Sequence, residues 1–169
     1  MGQSRVFFWA KHQTLSLLTA YSPIHHLVLY FRERALVQSE QTLVELHNLL
    51  IATHPEQIVC HSLGCFLLTQ YVLHYGSLPN CVQSVVFLQA DCSEQELLKS
   101  GLLSDVLRFT NVYRRLDPAL LFGSLMHRSW RIGLKPLPHL HVTNVYLPSF
   151  AHPNFHDAAL SDPYIRDLQ

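Results

Sequence analysis

Between Gln57 and Leu68 the chain changes character across a single residue. Gln57-Ile58-Val59-Cys60-His61 is a short apolar run of strand type. Leu63 to His74 is apolar almost all round, as a buried helix is. Only Ser62 separates them. A strand running straight into a buried helix is the unit of a parallel sheet, because a parallel neighbour is reached only by a crossover. The rest of the chain repeats the alternation. Further runs rich in β-branched and aromatic residues read as strands from Val6 to Ala10, His26 to Phe31, Ser84 to Gln89, Thr110 to Tyr113 and His141 to Leu147. Ala35 to Thr53 carries Leu36, Leu43, Leu46, Leu49 and Leu50 at helical spacing. Ser93 reads as the N-cap of a helix through Phe109, with Glu96 completing a capping box. Asp117-Pro118 opens another helix, the Asp as cap and the Pro in the first turn. Lys135 to Pro138 is a loop feeding the last strand. The expected fold is a three-layer α/β sandwich: a mostly parallel sheet of about six strands, helices on both faces, right-handed crossovers, and a single domain over 1–169.

Composition narrows the function. The chain is 49% apolar and 14% charged, with zero net charge when histidines are neutral, which argues for a filled core and against disorder. No basic stripe supports nucleic-acid binding. No apolar run approaches the roughly 20 residues that span a bilayer, and Val6 to Ala10 is too short for a signal-peptide core. Cys60, Cys65, Cys81 and Cys92 form no CxxC pair and read as free thiols in a reducing compartment, so a cytoplasmic location is expected. Among the 12 histidines, His25-His26 are adjacent and His139 and His141 alternate on the last strand. No third ligand at a recognisable spacing turns that pair into a metal site.

In sheets of this kind reactive groups collect at the carboxyl ends of the strands. Ser62 follows the third expected strand, at a turn that reads as a nucleophile elbow: G-x-S-x-G with Cys60 in the first glycine position and Gly64 in the second. A serine hydroxyl becomes a nucleophile only with a base in hydrogen-bond reach and a third group orienting that base. Asp117, past the fifth strand, and Asp91, past the fourth, are the candidate acids. His156 and His152, past the sixth, are the candidate bases. Asp117 has a purely structural role available as a helix cap. An oxyanion would be held by the backbone N–H of Leu63 and by a second from Ala10 or Lys11, in a first loop (Trp9-Ala10-Lys11-His12-Gln13) that carries no glycine.

With these residues assembled, the chain resembles the α/β-hydrolase superfamily, and within it the small bacterial α/β hydrolases of unknown function. The resemblance rests on His61-Ser62-Leu63-Gly64, on Asn111 to Leu120 followed by Arg131-Ile132-Gly133, and on His156 seven residues before Pro163-Tyr164-Ile165. It implies Ser62 as nucleophile, Asp117 rather than Asp91 as acid, and His156 rather than His152 as base. The activity so implied is hydrolysis of a carboxylic ester or related acyl bond of a small molecule, through an acyl-enzyme, with no metal or organic cofactor. Two other readings stand beside it: a catalytically inactive hydrolase-like binding module, and a histidine-rich metal-binding protein.

Overall fold

The computed structural model describes residues 23–106 and 108–147. The chain divides into two compact units, Met1–Leu36 and Val37–Gln169. Of the first, the described part is a helix, α1 (Pro23–Val37). The second contains α2 (Glu40–Thr53), β1 (Gln57–His61), α3 (Leu63–Tyr75), β2 (Ser84–Leu88), α4 (Glu94–Ser100), α5 (Leu102–Asp105), β3 (Arg108–Tyr113), α6 (Pro118–His127), a 3-10 turn (Ile132–Leu134) and β4 (Val142–Tyr146). It is an α/β unit whose four described strands lie in the order β1-β2-β3-β4, all parallel. No described helix is long and apolar enough to cross a membrane.

The strands expected at 57–61, 84–89, 110–113 and 141–147 are all present to within two residues at either end. The strand expected at His26 to Phe31 is not a strand. It lies inside α1. A short apolar run cannot be told from a buried helix by periodicity, and no turn residue separates it from the helix-forming Arg32 to Val37 that continues it. The run Val6 to Ala10 lies outside the described residues. The described sheet therefore has four strands rather than about six.

Two helix boundaries also moved. The helix expected over 35–53 is interrupted, because Ser39 takes an extended conformation (φ −69°, ψ 142°) and its hydroxyl caps α2 through Thr42 N–H. Ala35, Leu36 and Val37 of that stretch belong to α1. The helix begun by the Ser93–Glu96 capping box stops at Ser100, where Gly101 adopts a left-handed conformation (φ 77°) and caps it. Phe109 is released into β3, where its ring packs edge-on against Phe87 of β2.

The sheet is centred on β2, all five residues of which are buried. Consecutive parallel strands joined by right-handed crossovers bring their connecting helices to one face. There α3 packs against both α2 and α4. Phe66, Leu67, Leu68, Tyr71 and Val72 of α3 and Leu43, Leu46 and Leu50 of α2 are buried in this layer. The loop from Lys135 to Pro138 is clamped to the sheet by two asparagines. Asn111 Nδ2 donates to the Lys135 carbonyl at 3.0 Å, and Asn144 exchanges two hydrogen bonds with the Leu137 backbone at 2.7 and 2.8 Å. This layout leaves the carboxyl ends of β1, β2 and β3 side by side.

Candidate active site

Among the described residues three serines stand at helix N-cap positions, and one behaves unlike the others. Ser39 and Ser93 have extended backbones, and their side chains accept from backbone N–H groups in the first turn. Ser62 has φ 51° and ψ −118°, and its side chain makes no capping bond. A non-glycine residue in that region is strained by about 1–3 kcal/mol and persists only where its surroundings hold it. The surroundings are explicit. Ser62 N–H donates to the Leu88 carbonyl at 3.0 Å, and the Ser62 carbonyl accepts from Asp91 N–H at 3.0 Å and Cys65 N–H at 3.1 Å. Both backbone groups of Ser62 are thus fixed, while its hydroxyl stays out of the helix cap. The N–H of Leu63 is the first of α3, among those a helix leaves without an intrahelical partner.

Gly64 is less constrained than the elbow pattern implies, since a Cβ there would meet nothing within 4 Å. Cys60, in the other glycine position, sits in β1 beside Phe87 of β2. As a residue it is only half-buried, yet loss of hydration pushes its thiol up to about 12, which keeps it protonated. The fully buried Cys65 thiol is raised well above its ordinary value by the same cause first, with the neighbouring Cys60 and Cys92 adding to it. Neither thiol is a nucleophile near neutral pH.

Asp117 stands four residues past β3 and is fully buried. Its Oδ1 accepts from Ala119 N–H at 3.0 Å and Leu120 N–H at 3.1 Å, so the expected cap is present. Its Oδ2 accepts from Gln89 Nε2 at 2.5 Å. The rival acid has a different occupation. Asp91 Oδ1 lies 3.2 Å from Arg131 Nε, as an ion pair without hydrogen-bond alignment, and Arg131 Nη1 donates to Glu96 Oε2 at 3.1 Å. Glu96 in turn accepts from Ser93 N–H at 2.7 Å. The capping box read from sequence is therefore the half-exposed end of a charge network that runs inward to the buried Arg131 and Asp91. Arg131 and Gly133, which carried part of the family resemblance, serve the same region. Gly133 lies so close to the Gln89–Ala90 backbone that a Cβ would fall 2.4 Å from Ala90 N and Gln89 C.

The structure thus places Ser62, Gln89, Asp91 and Asp117 along one edge, past the carboxyl ends of β1, β2 and β3. His152, His156, Ala10 and Lys11 lie outside the described residues, and of the expected oxyanion donors only Leu63 is described. The side chains of His25 and His26 are likewise outside the description. His139 and His141 precede β4 rather than alternate along it. Both are exposed, with ring centroids 5.9 Å apart. Among the described residues no three His, Cys, Asp or Glu side chains gather into a metal site.

Gln89 was not singled out by sequence reasoning. Its signal was a polar residue closing an otherwise apolar run, Val85-Val86-Phe87-Leu88-Gln89, at the end of a strand where active groups collect. No protein-family model, no curated protein and no solved structure matches this chain.

Proposed function

We propose that the protein is a serine hydrolase of the α/β-hydrolase kind, cleaving a carboxylic ester or related acyl bond through an acyl-enzyme on Ser62. The observation that carries this reading is the Ser62 conformation, strained and held by the carboxyl-end turn of β2, with its hydroxyl withheld from the cap that Ser39 and Ser93 make. A serine whose role was to start a helix would have no use for φ 51°.

In the proposed reaction Ser62 Oγ attacks the acyl carbonyl as His156 takes its proton, and Asp117 orients the imidazole and offsets the charge it gains. The carbonyl oxygen, now negative, is stabilised by Leu63 N–H and a second donor from Ala10 or Lys11. Collapse of the tetrahedral species expels the alcohol, which leaves with the proton from His156. Water then attacks the acyl-enzyme with His156 again as base, releasing the acid and restoring Ser62. Asp117 is favoured as the acid because Asp91 is already engaged by Arg131.

The test is labelling of the purified full chain with a fluorophosphonate probe, alongside turnover of a short p-nitrophenyl ester. The wild type is expected to be labelled and active, and Ser62→Ala to be neither while still folded. Turnover that survives in Ser62→Ala overturns the proposal. A folded wild type that takes no label supports the inactive binding module instead.

A further inference from the structure

The turn after β2 touches both halves of the proposed machinery. On one side it holds the nucleophile: Leu88 O accepts from Ser62 N–H, and Asp91 N–H donates to Ser62 O, each at 3.0 Å. On the other it holds the acid, through Gln89 Nε2 on Asp117 Oδ2. Gln89 N–H is bonded to the Val112 carbonyl of β3 at 2.9 Å, and Gly133 N–H to the Ala90 carbonyl at 3.1 Å. The turn is therefore fixed from β1, β3 and the 3-10 turn together.

Gln89 is held there against its own preferences. It is a non-glycine residue at φ 45°, it is only 2% exposed, and among the described residues its Oε1 is buried without a hydrogen-bond partner. Turning the amide over would set Oε1 against the Asp117 carboxylate, so the donor must face Asp117. A left-handed backbone and an unsatisfied buried acceptor are both unfavourable, and both occur at the residue that grips the candidate acid.

We infer that Gln89 is a positioning residue of the Ser62 site: its amide sets the rotation of the Asp117 carboxylate and ties that carboxylate to the turn holding Ser62. This rests on the hydrolase reading above. Oδ1 is occupied by two cap N–H groups and Oδ2 by the Gln89 amide, so the carboxylate cannot turn about its Cβ–Cγ bond without breaking three hydrogen bonds. A base oriented by Asp117 inherits that fixed direction.

Two variants of the full chain test it. Gln89→Glu keeps the shape and packing but donates only when its carboxyl is protonated. Gln89→Gly removes the amide while accepting φ 45° more easily. With p-nitrophenyl ester as substrate, Gln89→Gly is expected to lose about 10- to 100-fold in kcat, the scale of a hydrogen bond to a charged group, with KM little changed. Gln89→Glu is expected to lose activity progressively as its carboxyl ionises, so its pH profile falls where the wild-type profile rises. A residue that served stability alone would change the melting temperature without reshaping the pH profile. An active wild type whose two folded variants keep its kcat and pH profile overturns the inference and leaves the Ser62 reading standing. A wild type that neither labels nor turns over overturns both.

Discussion

Arg131 Nε lies 3.2 Å from Asp91 Oδ1, with the Arg131 side chain wholly out of solvent and that of Asp91 nearly so. Removing Arg131 takes from Asp91 its counter-ion in a dry site, at a cost of up to about 3–5 kcal/mol, whereas removing the Asp91 charge leaves Arg131 paired with Glu96. Arg131→Met is therefore expected to destabilise strongly in urea titrations, and Asp91→Asn less. The protein that remains folded should still react at Ser62, since Asp91 works here as a counter-ion. Loss of fluorophosphonate labelling in folded Asp91→Asn, with stability unchanged, would make Asp91 the acid instead.

Asp117→Asn should behave in the opposite way. Asn caps helices about as well as Asp, and the Gln89 amide can turn over to accept from the new Nδ2, so stability is expected to change by no more than about 1 kcal/mol. Hydrolysis should fall by roughly three to four orders of magnitude, the scale seen when a triad acid becomes an amide. Paired urea titrations and ester kinetics on this variant separate a cap from a catalytic acid.

Strain at Ser62 has a thermodynamic signature. Glycine adopts φ 51° and ψ −118° without a Cβ clash, so Ser62→Gly is expected to stabilise the protein by about 1 kcal/mol while abolishing activity. Ser62→Ala, which keeps the Cβ, should abolish activity without that gain. Denaturant midpoints for the two variants decide the matter: equal midpoints would mean that no strain is stored at the elbow.

Gly133 and Gly64 make a contrasting pair. A methyl group at 133 would meet the Gln89–Ala90 backbone and Leu120 Cδ1 at 2.4–2.6 Å, so Gly133→Ala is expected to cost about 1–3 kcal/mol or more and to disturb the Ser62 site through that turn. At 64, in the first turn of α3 with open space around it, alanine should be neutral or stabilising by up to about 1 kcal/mol. Thermal melts of both variants test this.

The Cys60 thiol carries a pH prediction. Its value of about 12 in the folded chain lies above the 9.0 of a free thiol, so above pH 9 the unfolded chain releases a proton that the folded chain retains. Stability from this group is complete below pH 9 and declines as pH rises toward 12, by up to about 1.4 kcal/mol per pH unit. Urea titrations at pH 8 and pH 10 should show the decline, and Cys60→Ala should reduce it. An identical decline in Cys60→Ala would place its source elsewhere.

The strands at β1, β2, β3 and β4, the Ser93–Glu96 capping box and the Asp117 cap were legible because each is a local matter. Branched apolar runs end at polar residues, and a hydroxyl or carboxylate bonds to N–H groups two or three residues on. The element order likewise placed Ser62 and both candidate acids at strand ends. His26 to Phe31 misled for the same local reason, because a run of five apolar residues after a histidine fits a strand and a helix equally well, and the chain around it decides.

What no local pattern held was the assignment of partners across the sheet. Arg131 reaching Asp91, Gly133 passing against Ala90, and Gln89 turning to Asp117 join residues 28 to 43 positions apart, and such pairings exist only once β2 and β3 lie in register. The sequence by itself determined the repeating strand–helix order and the candidate nucleophile, since backbone geometry and side-chain spacing act over a few residues. Tertiary structure alone decided which carboxylate would be spent on a buried arginine and which would be held by an amide, because burial and hydrogen-bond direction belong to the folded chain as a whole.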